Sequence, residues 1–418
     1  MFTGIQLSRG WRRRNAVIVA GLASLTASAQ DILPSFNGGG STQPAFLPNT
    51  GVYQAPPLEA SGTPPLMHWG ELALRPKLDY RFLYGDGIPV STNHNYTTAI
   101  QSFAPGMLLE FGSQWTLLWT PTELLYSNNH FTDVLNQEVV LRGGVTNSST
   151  AFSVQQSYAQ STSPNVETGG QTEAELYSTT LSMNRAFNSR WSLEAGIDQR
   201  FRFTSRYQGF RDWSTLDWMS YQLTPRLNLA LGLGGGFTEV IGSVNSIYEQ
   251  ANGRVNWRLS DRFSLGLSAG AEERELQQTG GGQLFNPLFS ASVGYQMTER
   301  TRFSLAAART ISVSYIHAEL TETTTLQGSI TEQLAERWRF IASAAYFSLN
   351  YVGTELIGTG VGTLLRQDSG YSMYARLTYS PFNRGTVALL TNYRESKSSD
   401  SIYSLSGLQF GFELRYDY

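Results

Sequence analysis

The chain has no cysteine. That absence excludes a disulfide framework, thiolate metal sites and lipid attachment at an N-terminal cysteine. Lysine is almost missing too: Lys77 and Lys397 are the only two, so the basic complement is nearly all arginine. A GC-rich genome would produce the same bias as a functional use of arginine, and composition does not separate the two. Histidine occurs four times, as His68, His94, His130 and His317. None is paired at metal-ligand spacing, and none lies near a recognisable serine or aspartate constellation. The chain therefore reads as a non-enzyme, with no catalytic, metal or cofactor-binding residue to assign. Triads assembled in space are invisible in sequence, so a hydrolase stays open as an alternative. Its test is loss of activity on substituting His94 or His130.

Long apolar runs are also missing. The one apolar stretch near the N-terminus, Ala16 to Leu25, is too short to span a bilayer as a helix. It follows the basic residues Arg9, Arg12, Arg13 and Arg14 and precedes Ala27-Ser28-Ala29, a small-x-small cleavage pattern. Residues 1–29 read as a secretory signal peptide cut after Ala29. Twin-arginine export is the weaker alternative, because the residues after Arg14 fit that signal poorly. Cleavage removes four arginines and no acids, moving the formal charge from −3 to −7. Such a charge gives no sign of a nucleic-acid partner. Residues 30–70 hold Pro34, Pro44, Pro48, Pro56, Pro57, Pro64 and Pro65 with Gly38-Gly39-Gly40. They cannot build a core and read as a flexible periplasmic arm. An exported chain without transmembrane helices is released, periplasmic, or set in the outer membrane as a barrel.

What the chain does have is alternation, from about Glu71 to the end. Leu408, Phe410, Phe412, Leu414, Tyr416 and Tyr418 share one side of an extended strand, against Gln409, Gly411, Glu413, Arg415 and Asp417. A soluble edge strand with that aromatic face would invite aggregation. In a closed barrel the apolar face meets lipid, the polar face meets a wet lumen, and no edge remains. Trp191, Leu193, Ala195, Ile197, Phe201 and Phe203 likewise oppose Ser192, Glu194, Gly196, Asp198, Arg200 and Arg202. A solvated face of a sandwich sheet would give that second set as well.

The middle of the chain repeats a turn, an arginine, a bulky apolar residue, a polar residue and another apolar one. Arg190, Arg226, Arg262, Arg302 and Arg337 begin these units, 36, 36, 40 and 35 residues apart. Such a period holds two strands of about 11–13 residues, one tight turn and one longer loop, which matches tilted membrane-spanning strands of roughly 9–11 residues each. Propeller blades have a similar period but need four short strands in it. Short turns fall near 113, 148, 188, 224, 260, 298, 335 and 382, with longer stretches between them. Residues 71–418 are thus expected to form an all-β, transmembrane, antiparallel up-and-down β-barrel of about 18 strands with short periplasmic turns. Sixteen strands is the alternative if one hairpin is false.

The expected polar face carries Arg81, Glu110, Arg142, Glu194, Asp198, Arg200, Arg202, Arg258, Arg376, Glu413 and Arg415. Trp191, Phe263, Phe303, Trp338 and Phe410 are expected to face lipid. Mixed charge signs suit a water-filled lumen with a transverse field better than a steep ion filter. Internal salt bridges could equally make the barrel narrow or plugged. Two further clusters stand out. Leu231 to Gly236 is glycine-rich but does not complete a phosphate-binding fingerprint, so its glycines are assigned to relief of crowding. Glu272, Glu273 and Glu275 suggest a cation site at the rim or, more simply, a solvated acidic loop.

The repeated hairpins, Ala306-Ala307-Ala308-Arg309-Thr310 and the terminal Tyr416-Asp417-Tyr418 resemble the outer-membrane β-barrel porin family sometimes called porin-2. Members of that family often accompany exopolysaccharide production in Gram-negative bacteria. The aromatic last residue also resembles the closing strand that the barrel-assembly machinery reads in such proteins. The resemblance implies an outer-membrane location and carries no site motif. The leading expectation is passive passage of small hydrophilic solutes, or of a polysaccharide. A non-conducting surface barrel whose loops bind a partner or polymer is the rival. Expected partners are outer-membrane lipid, the assembly machinery and the passing solute, with oligomerisation left open.

Overall fold

The computed structural model describes residues 66–91, 94–165, 167–278, 282–354 and 361–417. The expected signal peptide, nearly all of the arm and Tyr418 lie outside the described residues. A three-residue strand, β1 (Met67–Trp69), folds back on the next one and takes no other part. The wall itself runs β2 (Leu72–Ser91), β3 (His94–Phe111), β4 (Trp115–Tyr126), β5 (Val134–Thr146), β6 (Thr150–Asn165) and β7 (Gly170–Ala186). It continues with β8 (Trp191–Thr204), β9 (Phe210–Thr224), β10 (Leu227–Val240), β11 (Ser246–Arg258), β12 (Phe263–Leu276) and β13 (Gln283–Gln296). It ends with β14 (Thr301–Val313), β15 (Glu319–Ala335), β16 (Trp338–Gly353), β17 (Leu364–Phe382), β18 (Gly385–Ser398) and β19 (Leu405–Asp417). Each strand pairs antiparallel with the next, and β19 pairs back onto β2 from Gln409↔Gly85 to Asp417↔Lys77. The result is a closed 18-stranded up-and-down β-barrel, so the sixteen-strand alternative and the propeller both fall away.

The repeated arginine units mark the tight turns, and side-chain caps explain them. A short polar residue stands two places before an arginine and accepts the next free N–H groups of the turn. Asn188 Oδ1 takes the amides of Arg190 and Trp191, Thr224 Oγ1 that of Arg226, and Ser260 Oγ those of Arg262 and Phe263. Thr298 Oγ1 does the same for Arg300 and Thr301. Beside these turns the aromatic rings pair across strands: Trp191 with Tyr221 at 4.7 Å, Phe263 with Tyr295 at 6.2 Å and Trp338 with Tyr379 at 4.7 Å.

Burial runs opposite to that of a soluble domain. Outward side chains such as Leu231 and Phe285 are 74% and 73% exposed, while inward Arg202 and Glu413 are 0% and 1% exposed. The two rims also differ. The turn rim is even and carries the first wall strand's start and the last strand's end. The loop rim is uneven: β2 and β17 are 20 and 19 residues long, whereas β11, β14 and β19 have 13 each and β4 has 12.

One expectation is corrected at β12. Glu272, Glu273 and Glu275 lie within that strand rather than in a loop, so strand alternation divides them. Glu272 is buried on the inner face beside Arg274, while Glu273 and Glu275 are exposed on the outer face. They form no joint cation site.

Candidate functional site: two charged walls of the lumen

Inward-facing charge gathers on two arcs of the barrel. The first spans β8 to β12. Glu194 accepts two hydrogen bonds from Arg254 Nη2, at 2.8 and 3.0 Å, and one from Ser220 Oγ at 3.3 Å. Arg200 donates to Asp212 at 3.2 Å, and Asp212 also accepts from Thr238 Oγ1 at 2.7 Å and from the Tyr248 hydroxyl. Arg274 donates to Glu272 at 2.9 Å and to Ser246 Oγ at 2.9 Å. Asp198 accepts from Thr180 Oγ1 at 2.7 Å. A cavity of about 100 Å³ lies against this arc, lined by Arg200, Asp212, Tyr248, Arg274, Ser290 and Thr310 among others.

The glycines of β10 make this arc possible. Trp218 from β9 lies over Gly232, and Tyr248 from β11 lies over Gly236. A Cβ at those glycines would come within 2.7 and 2.5 Å of the rings. Lying flat on the wall, each ring offers its face to an arginine. Arg254 sits 4.4 Å above Trp218 and Arg274 sits 4.3 Å above Tyr248. Cation–π attraction is largest where water is excluded, about 2 kcal/mol or more. The glycine tract thus relieves crowding, but by seating aromatic platforms rather than by bending the strand.

The second arc runs from β17 through β19 to β3. Glu413 is its centre: Arg81 Nη2 and Nε donate at 2.7 and 3.1 Å, and Arg376 Nη2 donates to the other oxygen at 2.6 Å. Arg415 pairs with Asp417 at 2.7 Å, Arg75 with Glu110 at 3.0 Å, and Arg366 with Asp368 through two bonds of 2.9 and 3.1 Å. Between the arcs the inner faces are mostly small and neutral, with Glu138 and Arg142 of β5 the charged pair among them. Thr120, Thr122, Ser157, Thr180 and Ser182 line one side; Ser290, Ser292, Thr310, Thr325 and Gln327 line the other.

Among the residues singled out from sequence, Glu194, Asp198, Arg200, Arg202, Arg376, Glu413 and Arg415 all point inward, and each is engaged in an ion pair or hydrogen bond. Arg258 shares their phase but stands exposed at the turn rim, its backbone amide bonded to the Arg226 carbonyl. Arg202 is not a solvated side chain. Its Nη2 donates to the carbonyls of Gln208, Val313 and Ser314 at 3.0, 3.3 and 2.7 Å, and the rings of Tyr315 and Phe210 pack against it. Arg254, Arg274, Arg366, Asp212 and Asp368 were not picked out from sequence. Opposite charges two residues apart share a strand face, so Glu272/Arg274 and Arg366/Asp368 carried a legible signal. Arg254 and Asp212 did not, because their partners lie on other strands.

No protein-family model matches the chain, and no curated protein does. Among solved structures it is similar to the FrpB iron transporter from Neisseria meningitidis (F5-1 variant), at 9% identity and a TM-score of 0.47. That match covers 78% of this chain and 63% of the other. It is similar to Pseudomonas aeruginosa OprD at 12% identity and a TM-score of 0.42, over 83% of this chain and 95% of that one. Pseudomonas aeruginosa OccK2 (OpdF) aligns at 12% identity and a TM-score of 0.46, over 82% and 98%. The chain spans less than two thirds of the FrpB chain and nearly all of the other two. Similarity this distant belongs to overall fold and carries no argument about function.

Proposed function

We propose that the chain is an outer-membrane channel of the porin type, passing small hydrophilic solutes without catalysis. One observation carries this reading: the barrel turns leucine and aromatic side chains outward and charged, hydrogen-bonded ones inward. Exposed apolar side chains in such number are stable only against hydrocarbon, where a closed barrel satisfies every backbone group internally. An interior lined by paired ions and hydroxyls retains water. On the same reading the protein sits in the outer membrane of a Gram-negative bacterium, exported by the segment ending at Ala29. Lipid surrounds it, and β19 is the strand the assembly machinery engages. Membership of the porin-2-like group, and a polysaccharide cargo with it, belongs to this proposal and rests on the sequence resemblance.

Purified protein in planar bilayers tests the proposal. Stable open steps with weak ion preference are expected, because most inward charges are paired. A second reading has its own support. Buried loop residues such as Phe131, packed with Leu83, Ile100 and Leu124 inside the loop rim, favour a barrel that binds a partner and conducts little. Folded protein giving no steps would select that second reading.

A further inference from the structure

The loop rim holds two arginine clamps of the same construction. On β8, Arg202 Nη2 donates to three backbone carbonyls, and the guanidinium lies 4.8 Å from the Phe210 ring and 3.8 Å from the Tyr315 ring. On β17, Arg366 is fixed in plane by both oxygens of Asp368, with Tyr351 at 3.8 Å and Tyr403 at 4.0 Å. In each clamp one ring belongs to the wall and one to a loop. Tyr315 belongs to the loop 314–318, and Tyr403 to the 3-10 turn Ser401–Tyr403. The loops that carry Tyr315 and Tyr403, after β14 and β18, stand four strands apart, and Arg202 reaches the first of them from β8, six strands away.

Partners from distant strands hold the first loop. Tyr315 N–H donates to Glu167 at 2.6 Å, and Ser314 Oγ donates to the same carboxylate. Glu167 comes from the loop after β6, eight strands away across the mouth. Gln208 bonds the loop twice more, donating its amide to the Tyr315 carbonyl and accepting the amide of Ala318 at 2.9 Å. Ala318 has φ 59°, a left-handed conformation that costs a non-glycine residue energy. The backbone is thus held in a strained shape by partners on the far side of the opening. Planar guanidinium groups accept rings on both faces while keeping in-plane hydrogen bonds. Lysine could not make either clamp.

We propose that Tyr315 and Tyr403 set the size limit of this channel, each pinning its loop at the mouth by stacking on Arg202 and Arg366. The proposal rests on the channel reading and adds to it which residues discriminate between solutes. Wall charges then tune ions, while the clamps govern width.

The test is polymer exclusion in planar bilayers, with uncharged polyethylene glycols of graded size applied to each side in turn. Four proteins are compared: wild type, Tyr315→Ala/Tyr403→Ala, Tyr315→Phe/Tyr403→Phe and Tyr315→Trp/Tyr403→Trp. Each is first checked for heat-modifiable folding, and the phenylalanine and tryptophan variants keep a ring on each arginine. The alanine pair is expected to admit larger polymers from the loop side and to raise single-channel conductance by about twofold, as a wider opening requires. The phenylalanine pair should match wild type, and the tryptophan pair should lower the size limit. Equal limits for all four conducting proteins overturn the assignment and leave the channel reading standing. Silence from the folded wild type with steps from the alanine pair supports it. Silence from both overturns the assignment and the channel reading together.

Discussion

Replacing Glu413 by glutamine removes one negative charge and almost no volume, yet two arginines lose their counter-ion. The carboxylate accepts three bonds of 2.6 to 3.1 Å from Arg81 and Arg376 and is almost fully buried. At an effective dielectric near 20, each unit-charge pair about 4 Å apart is worth about 4 kcal/mol. The arginines recover part of that by turning toward water in the lumen. Breaking a buried pair on one side costs about 3–5 kcal/mol, and the amide adds a donor facing two donors. With a urea slope near the upper end of ~1–3 kcal/mol per molar, the unfolding midpoint falls by roughly 1–2 M. Tryptophan fluorescence of protein folded into lipid vesicles reads that midpoint. Arg258→Ser, at the exposed turn rim, is the control and should stay within about 0.5 kcal/mol of wild type. In bilayers the same glutamine variant should shift the zero-current potential toward anions. A wild-type midpoint for Glu413→Gln would refute the reasoning, because the triad would then be solvated.

Other consequences are as direct. Gly236→Val drives a side chain into the Tyr248 ring and should cost about 1–3 kcal/mol by the same urea assay; a neutral effect would mean that the platform is free to move. Asn188→Ala removes a cap shared by two turn amides and should lower stability by about 0.5–1.5 kcal/mol, whereas equal loss from Ser189→Ala would point to packing instead. Deleting Tyr416 to Tyr418 shortens the strand that pairs with both β18 and β2, so heat-modifiable protein in the membrane fraction should drop. Normal accumulation would make the chain's end dispensable. In the cysteine-free chain, single cysteines at Glu194 and Asp198 should react with a water-soluble thiol reagent in vesicles, and those at Trp191 and Phe303 should not; the reverse pattern would invert the wall.

Much of the fold was legible because an up-and-down barrel with an apolar outer face writes itself locally. A period of two fixes each face, and turn caps such as Asn188 and Ser260 sit within three residues of the amides they serve. All eight short turns fall where polarity interrupts the alternation, which is why eighteen strands could be counted. The ion pairs were less legible. Glu194 meets Arg254 across three strand steps, and the closure of β19 on β2 brings Arg81 to Glu413, 332 residues apart. Neither distance follows from periodicity. The inward loops were illegible for another reason: nothing local distinguishes a loop that folds over the mouth from one that stands away from it. Tyr315 and Tyr403 become informative only once Arg202 and Arg366 are seen against their rings.

The uneven loop rim gives the barrel two high points, at β2 and at β17, with the shorter β18 and β19 between them. Strands β2 and β17 exceed β11 and β14 by six or seven residues, which at about 3.3 Å per residue and a 40° tilt is roughly 15–18 Å of extra height. The high point at β17 lifts polar outward residues such as Asn350, Gln367 and Ser369 clear of any apolar band. The lower rim at β13 brings exposed Phe285 nearly to its edge. On the channel reading, a molecule approaching along the outer surface would therefore meet a parapet at some strands and a doorstep at others.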